Sequence, residues 1–433
     1  MPSDLHTTSR LLAEVCSDIS YGYTESATTL PVGPKFLRIT DIQGGRFDWK
    51  DVPYCPATDA DIRKYGLKIG DIVVARTGNS TGENAQVWTL EEPAVFASYL
   101  IRCRVDPDKA NPFFVGYQLR TRWFWDYVLA VRGGSAQPGA NAKQLGAFEL
   151  LLPARSHQAA VVGVLRSLDD RIDLLRQTNA TLEAIAQTLF KSWFIDFDPV
   201  RAKAEGRQPD GMDAETAALF PDGFEDSELG PIPRGWTVCS IDSFATYLNG
   251  LALQKYPAES DTDFLPVIKI AQLRAGHADG ADRASSQLKP EYVVHDGDVL
   301  FSWSGSLEVE FWCGGDGALN QHLFKVSSEE VPKWFYYLAT RHFLPWFREI
   351  AATKATTMGH IQRGHLKEAR LALPPAASLW AMSQAVEPIL VKRINASLQA
   401  RNLSELRDTL LPRLISGRLR VPEAQEIAEE ALA

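Results

Sequence analysis

The sequence is poor in the residues that would cross-link a small fold or hold a metal ion. Only five cysteines occur among 433 residues, and they are scattered with no close pair. Neither a disulfide framework nor a zinc site with its short ligand spacing is therefore indicated. The cysteines are Cys16, Cys55, Cys103, Cys239 and Cys313.

Long apolar runs are also missing. No stretch approaches the roughly 18 residues needed to span a bilayer. The first residues, which include Asp4, His6 and Arg10, lack the basic and then apolar layout of a signal peptide. We therefore expect a soluble cytoplasmic protein with no membrane partner. An apolar content of 45% over 433 residues supplies enough material for two separate cores, at about 100–200 residues per domain.

A surplus of positive charge, the usual footprint of a nucleic-acid binder, is absent as well, because the net charge is -9. The charge is unevenly distributed. Residues 194–230 hold ten acids and three bases, and residues 422–433 hold four acids and no base, so these segments carry -11 and the remainder carries +2. Neither acidic segment needs to approach DNA. The overall charge is therefore a poor argument against phosphate binding.

What the sequence does contain is an internal repeat. Leu-Arg-Ile-Thr-Asp-Ile at 37–42 returns as Ile-Lys-Ile-Ala-Gln-Leu at 268–273. Two further pairs follow in the same order, 70–78 with 297–305 and 117–122 with 336–341. A period of about half the chain is too long for a solenoid, whose repeats are ~20–50 residues. The repeat therefore predicts two related domains.

Each half then runs through a Leu-Pro stop into a long helical pattern. In the first pattern, apolar residues alternate at spacings of four and three, which is the seam of a coiled coil with one polar position, Asn179. The second seam is interrupted by Arg401 and Arg407. Two helices with one apolar stripe each are expected to pack together, and an antiparallel pairing would place the domains at opposite ends of a rod. The seam residues are Leu168, Ile172, Leu175, Asn179, Leu182, Ala186, Leu189 and Trp193 in the first helix, and Met382, Val386, Ile389, Ile394, Leu403, Leu406, Leu410 and Leu414 in the second.

These patterns predict an α+β fold, with two repeated mixed α/β domains joined by two long antiparallel coiled-coil helices. The linker between the halves has five prolines and is predicted to be extended surface chain. The predicted segments are a domain over 1–153, a helix over 154–196, the linker over 197–235, a second domain over 236–374, a second helix over 375–420 and an acidic tail over 421–433.

Polar loops follow corresponding strands in the two halves. Arg76 and Asn79 lie in the first of these loops, and such side chains reach guanine and adenine edges by bidentate contacts. The alternative is a turn that merely needs glycine. Trp303 replaces Arg76 in the second half, so the two halves are not expected to read the same bases.

A second polar loop in each half, at 132–144 and 354–363, interleaves basic and amide side chains. Long ordered loops are more often functional than not, although a solvated loop stays open as the alternative. The candidate DNA-contacting residues are Arg76, Thr77, Asn79, Ser80, Gln137, Asn141, Lys143 and Gln144 in the first half, and Trp303, Ser304, Ser306, Lys354, His360, Gln362 and Arg363 in the second.

Signs of catalysis are weak. The tetrapeptide Asn-Pro-Phe-Phe at 111–114 is one residue away from the loop with which amino-methyltransferases grip a flipped base. The second proline is missing, and the repeat partner at 331–334 has no such motif. A helix that begins at Pro112 explains the pattern better. His322 is expected to be a satisfied histidine and not a metal ligand. No catalytic or metal-binding residue is predicted.

At this point the sequence resembles a known family. The block 189–203, continuing through 211–215 to 229–236, resembles the central conserved region of type I restriction-modification specificity subunits. The segment 410–419 is similar to their distal conserved region. The resemblance covers essentially the whole chain.

The resemblance implies that 1–153 and 236–374 are target-recognition domains, each reading one half of a split site in double-stranded DNA. It implies no catalytic site and no cofactor on this chain. The expected partners are two adenine methyltransferase subunits, which bind S-adenosylmethionine, and restriction subunits, which use ATP and Mg²⁺. The residues expected to bind these partners are Phe190, Trp193, Phe194, Phe197, Leu414 and Ile415.

Two other classes of function remain open at this stage. The chain could be a free-standing DNA methyltransferase or nuclease with its own recognition domains, or a scaffold with no DNA role. Methyl transfer by the purified chain would identify the first, and failure to bind duplex together with a methyltransferase partner would identify the second.

Overall fold

The structure is a computed structural model that describes residues 7–132, 139–353 and 359–432. It forms two compact units. The first unit comprises Met1–Arg171 with Leu403–Ala433, and the second comprises Ile172–Asn402. Both boundaries fall inside 40-residue helices, so each unit contains part of both long helices.

The elements up to the end of the first long helix are β1 (Thr8–Leu11), α1 (Leu12–Val15), β2 (Cys16–Tyr21), β3 (Lys35–Leu37), α2 (Asp59–Tyr65), β4 (Ile72–Ala75), β5 (Asn84–Gln86), β6 (Ala94–Phe96), β7 (Leu100–Val105), α3 (Pro112–Gln118), α4 (Arg122–Val131), α5 (Ala142–Gly146), β8 (Glu149–Leu152) and α6 (Arg155–Phe194).

The elements after it are α7 (Asp198–Ala204), α8 (Ala214–Ala218), β9 (Phe224–Ser227), β10 (Gly230–Pro233), β11 (Thr237–Ser240), α9 (Ile241–Phe244), β12 (Thr246–Asn249), β13 (Leu265–Ile268), α10 (Ile270–Ala275), β14 (Arg283–Ala284), β15 (Val293–Val294), β16 (Val299–Ser302), β17 (Val309–Phe311), β18 (Gly317–Leu319), β19 (Leu323–Ser327), α11 (Lys333–His342), α12 (Leu344–Thr353), α13 (Arg363–Glu368), β20 (Arg370–Leu373), α14 (Ala376–Ile415) and α15 (Val421–Leu432).

The first unit is built on a four-stranded antiparallel sheet in the order β2-β7-β4-β5. Its central strand β4 is a run of four buried apolar residues, as expected for a strand covered on both faces. A parallel pair, β3-β6, and an antiparallel pair, β1-β8, accompany the sheet. One core cluster of this unit gathers Val73, Phe96 and Leu100 among others.

The second unit repeats this plan. Its four-stranded antiparallel sheet has the order β12-β19-β16-β17, which corresponds strand for strand to β2-β7-β4-β5. The parallel pair β13-β18 corresponds to β3-β6, and the antiparallel pair β11-β20 corresponds to β1-β8. The second unit adds β14 and β15 to the edges of the parallel pair. The predicted fold class is confirmed, and so is the prediction that the two halves are related.

One glycine marks the same close approach in both units. A Cβ added at Gly22 would lie 2.3 Å from the carbonyl oxygen of Ala97, and a Cβ added at Gly250 would lie 2.3 Å from that of Asn320. No side chain fits at such distances, so glycine is required where the chain leaves the first strand of each main sheet. The residues just before these glycines, Tyr21 and Asn249, are therefore at equivalent positions.

The long helices run antiparallel to each other within each unit. In the first unit, His157 is 3.4 Å from the carbonyl oxygen of Leu414, and Asp169 pairs with Arg407. In the second unit, the Nδ2 of Asn179 donates to Ser397 Oγ at 2.8 Å. The polar seam position thus bonds across the pair, as a residue that fixes helix register would.

The linker prediction was wrong. Residues 197–235 form α7, α8 and the hairpin β9-β10 instead of extended surface chain. Val200, Phe220 and Ile232 from this segment are buried in the core of the second unit. The prolines are compatible with this structure, because Pro199 lies in the first turn of α7, where a missing N–H costs nothing. The acidic segment at the C-terminus forms α15, which buries Ala424 and Ala428.

Candidate nucleic-acid interface

The structure brings together the two predicted polar loops of each half. In the first unit, an isolated bridge joins Thr77 to Gly139, and Ala140 N donates to the carbonyl oxygen of Arg76 at 2.9 Å. The loop after β4 thereby contacts the segment that leads into α5. Residues far apart in the sequence form one polar surface, which we call the first loop pair (76–80 with 139–144).

The second unit contains the equivalent arrangement. A bridge joins Ser304 to His360, and Ile361 N donates to the carbonyl oxygen of Trp303 at 3.0 Å. Arg76 and Trp303 therefore hold the same place in the two units, as the repeat indicated. We call this surface the second loop pair (303–306 with 359–363). Of the predicted DNA-contacting residues, Gln137 and Lys354 lie outside the described residues.

In the first loop pair, Arg76 is held from two sides. Its Nε donates to the carbonyl oxygen of Ser98 at 2.8 Å, and its guanidinium carbon lies 4.9 Å from the centroid of the Tyr21 ring. The hydroxyl of Tyr21 in turn accepts a hydrogen bond from Ala142 N at 3.1 Å. Tyr21 therefore links the two loops beneath Arg76.

The remaining predicted residues of this surface divide into exposed and structural groups. Asn79, Asn141 and Lys143 are exposed, and Thr77 and Ser80 are half-buried. Gln144 has a structural role, because its Nε2 donates to the carbonyl oxygen of Val131 at 2.8 Å and its Oε1 accepts from Asn141 N at 2.9 Å. Asn141 also caps α5 through its Oδ1.

In the second loop pair, the indole N–H of Trp303 is occupied inside the unit. It donates to Asn249 Oδ1 at 2.9 Å and to the carbonyl oxygen of Gln321 at 3.1 Å. Ser304 is buried, and its hydroxyl is 3.0 Å from His322 Nδ1. His322 is thus hydrogen-bonded, as predicted.

The other predicted residues of the second loop pair lie nearer the solvent. Ser306 and Gln362 are exposed, and the ring of His360 meets that of Trp303 edge-on at 6.3 Å. Arg363 is exposed overall, yet its Nη2 donates to the carbonyl oxygen of Tyr247 at 3.2 Å. The second surface therefore offers neutral hydrogen-bonding groups around one arginine that already has a partner.

Sequence reasoning missed three residues that border these surfaces. Tyr21 and Asn249 lie on the first strand of each main sheet, and Tyr99 is 59% exposed beside Arg76, whose N–H donates to its carbonyl oxygen at 3.0 Å. Tyr99 holds the place of His322, because Trp303 N donates to the carbonyl oxygen of His322 at 3.3 Å as Arg76 N donates to that of Tyr99, so the internal repeat was the available signal for Tyr99. No sequence match between β2 and β12 pointed to the other two.

The residues expected to bind partner subunits are mostly core residues. Phe190, Trp193 and Phe194 are buried in the second unit, with Phe197 packed against the same core. Leu414 and Ile415 are buried in the first unit. Burial in this chain leaves these side chains little surface to offer a partner. Their role here is to pack α6 and α14 into the units.

A buried carboxylate on α6 fixes the domain of the first unit to the long helices of that unit. Asp169, 3% exposed, accepts from the Tyr117 hydroxyl at 2.8 Å. Burial alone would raise its pKa, but the surrounding guanidinium groups hold that pKa well below its usual range. These groups belong to Arg46, Arg120 and Arg407, at 2.6, 3.2 and 2.7 Å.

Glu183 serves the same purpose in the second unit. It accepts from the Tyr337 hydroxyl at 2.9 Å and forms ion pairs with Arg341 at 2.7 Å and Arg393 at 3.0 Å. In both units a carboxylate on α6 thus joins a tyrosine of the domain to an arginine of α14. Arg407 therefore interrupts the predicted apolar seam because its guanidinium group pairs with the buried carboxylate of Asp169.

The methyltransferase-like tetrapeptide begins a helix, as predicted. Asn111 caps α3 by accepting from Phe113 N at 3.0 Å. Phe113 stacks on Trp88 at 4.4 Å, and Phe114 is fully buried. With its amide oxygen used by the cap and its aromatic residues packed, this segment has a complete structural role.

Comparisons with known proteins find similarity to type I restriction-modification specificity subunits. Residues 233–382 match the family model described as the type I restriction modification DNA specificity domain. The type I restriction enzyme HindI specificity subunit of Haemophilus influenzae is 24% identical over 346 residues, covering 69% of this chain and 75% of that one. The MjaIX specificity subunit of Methanocaldococcus jannaschii is 26% identical over 321 residues, covering 72% and 69%.

A solved type I restriction-modification S subunit from M. genitalium is 12% identical, with a TM-score of 0.48 over 95% of this chain and 96% of that one. The chain is thus similar to type I restriction-modification specificity subunits, and it matches the model of their DNA specificity domain over residues 233–382. Both the HindI and the MjaIX relatives are named as specificity subunits. Within the described parts of the chain, every helix is too short or too polar to cross a membrane.

Proposed function

We propose that this chain binds double-stranded DNA at a bipartite site, with one half read by each recognition domain. The observation that carries the proposal is the pair of equivalent loop surfaces on equivalent sheets. The framework is the same in both units, whereas the chemistry at matched positions differs, with Arg76 against Trp303 and Asn141 against Gln362. Two different surfaces on one repeated framework suit two different half-sites.

The electrostatics are compatible with this proposal. The acidic residues that dominate the net charge lie in 194–230 and in the C-terminal segment, outside both loop pairs. The first loop pair carries Arg76 and Lys143, and the second carries Arg363. Side chains of these types are the ones that most often contact phosphates and base edges.

We further propose that the chain works in the cytoplasm as part of a complex, recruiting two methyltransferase subunits and, with them, the restriction subunits. S-adenosylmethionine would bind to the methyltransferase subunits, and ATP and Mg²⁺ to the restriction subunits, with no cofactor on this chain. The partners would contact surfaces other than the buried aromatic side chains of α6.

Selection from randomised duplexes tests the proposal. The full chain, mixed with its methyltransferase partner, is expected to enrich a motif of two defined blocks separated by an unread spacer. Enrichment of a single continuous block, or no sequence preference at low salt, would contradict it. Salt concentration must be fixed across samples, because phosphate contacts make the affinity strongly salt-dependent.

A further inference from the structure

We propose that Arg76 reads a guanine in the half-site bound by the first unit, and that Tyr21 is the positioning residue that orients it. This inference rests on the proposed DNA-binding function. It goes beyond that function by assigning one base to one side chain. It also gives a role to Tyr21, which lies on β2 outside the predicted loops.

The guanidinium group of Arg76 is restrained at its Nε and open at its two terminal nitrogens within the described part of the chain. Of the five N–H donors of a guanidinium group, Nε is committed to the carbonyl oxygen of Ser98 at 2.8 Å. The two terminal amino groups make no hydrogen bond within the described part of the chain. A planar fork held at its base and open at its tips matches the O6 and N7 acceptors of guanine, which is the commonest specific contact made by arginine.

Tyr21 contacts both loops of the first loop pair, through Arg76 and through Ala142. The face of its ring supports the Arg76 guanidinium, 4.9 Å from the ring centroid, in the geometry of a cation–π interaction. Its hydroxyl accepts from Ala142 N at 3.1 Å. One rigid side chain on a strand therefore sets both the plane of the arginine and the spacing of the two loops. Sites built on strands are positioned more precisely than sites built on loops alone.

The second unit has different side chains at the two equivalent positions, Asn249 and Trp303. Asn249 holds the strand position of Tyr21, because Tyr21 pairs with Ile101 as Asn249 pairs with Phe324 in the corresponding strands. Asn249 likewise contacts the loop residue, accepting from the indole N–H of Trp303 at 2.9 Å. That N–H is the only donor of the Trp303 side chain. Within the described residues, the same device thus leaves the terminal donors of Arg76 open in the first unit and occupies the donor of Trp303 in the second, so we assign this guanine contact to the first half-site.

The chief rival is that Arg76 contacts a phosphate. A phosphate contact carries no base information, so its loss weakens binding to all sequences about equally. A guanine contact, once lost, relaxes the preference at one position. The two explanations therefore predict different results in the same selection experiment.

The test uses the full chain with its methyltransferase partner and randomised duplexes. Arg76→Ala is expected to lower the preference for guanine at one position by about ten- to hundredfold. Arg76→Lys should lose most of that preference, because lysine lacks the planar fork. Tyr21→Phe, which keeps the ring, should retain the guanine, whereas Tyr21→Ala should relax the same position. The other half-site is the internal control and should stay unchanged.

A matched control and a second variant make the test decisive. Arg122→Ala removes the same charge from a side chain that is 93% exposed and should leave the motif unchanged. If thermal unfolding shows that Tyr21→Ala does not fold, Tyr21→Leu keeps the apolar bulk without the ring face and should still relax the guanine position.

A uniform loss of affinity in Arg76→Ala would overturn the guanine assignment. An unchanged motif in Tyr21→Ala or Tyr21→Leu would overturn the positioning role. These failures differ from a failure of the proposed function. In that case the unsubstituted chain would enrich no bipartite motif at all.

Discussion

Asp169 shows how a single residue can hold a domain in place. Its carboxylate is almost completely buried, yet it is surrounded by arginines from a loop, from the end of α3 and from α14. Removing one partner from a buried ion-pair network is costly, because the other charges are left without compensation. The carboxylate therefore fixes the position of α3, and with it the domain of the first unit, on the long helices.

We predict that Asp169→Asn lowers the free energy of unfolding by about 3–5 kcal/mol. Urea denaturation of the full chain, monitored through a signal that reports on the first unit, measures this change in the free energy of unfolding. Asp170→Asn is the matched control. Asp170 follows on the same helix, is 55% exposed and, among the described residues, pairs with Arg166 four residues earlier. Such surface pairs are worth about 0–1 kcal/mol. Equal effects of the two substitutions would contradict the role of Asp169.

The loss of stability caused by Asp169→Asn depends on pH in a way that follows from the lowered pKa of Asp169. A carboxyl group whose pKa is lower in the folded state stabilises the fold above its unfolded value, about 3.9, and that stabilisation is lost as the pH falls through the folded value. The cost of Asp169→Asn should therefore stay nearly constant from pH 7 to about pH 5. A cost that disappears in this window would show that the carboxylate is not held ionised.

At the scale of elements, the aromatic residues around the end of α6 form the junction between α6 and the second domain. Phe194 meets Trp236 at 5.7 Å and Phe335 at 5.2 Å, so the end of α6, the segment after the linker and α11 share one core. Phe197 adopts left-handed backbone angles, with φ 56°, where the chain turns from α6 into α7. These aromatic residues thus pack the end of α6 into the core of the second unit.

We predict that Phe194→Ala lowers the free energy of unfolding of the second unit by about 3–5 kcal/mol, as for other buried phenylalanines. Thermal or urea unfolding measures it. Ile185→Ala, at an exposed position of the same helix, is the control and should cost less than about 1 kcal/mol. If Phe194→Ala left stability unchanged and only reduced binding of the methyltransferase subunit, the residue would be a partner contact and not a core residue.

The sequence predicted those elements whose pattern depends on neighbours along the chain. The start of α3 at Pro112 and the helical seams follow from local capping and periodicity, and the relation between the two domains follows from the internal repeat. The linker was missed because its prolines and acids suggested exposed chain, while Val200 and Phe220 find their core only in the folded unit. The place of Tyr21 was hidden for the same reason, since its neighbours Arg76 and Ala142 are distant in sequence.

For the whole molecule, the central feature is one framework used twice. Each unit presents a loop pair on an equivalent sheet, and the residues that build the sheet correspond, whereas the residues at the loops do not. A framework of this kind lets the loops of one domain change without disturbing the other. The proposed function therefore requires that the two domains recognise DNA independently.

Domain replacement tests this claim most directly. Residues 236–374 are replaced by the matching domain of a relative, and the hybrid is expressed with its methyltransferase partner in cells that lack the native specificity subunit. Sequencing of methylated bases across the genome then gives the recognised motif. We predict that one half of the motif changes and the other half, read by the first unit, stays the same. A hybrid that changes both halves, or that keeps the original motif in full, would contradict independent recognition by the two domains.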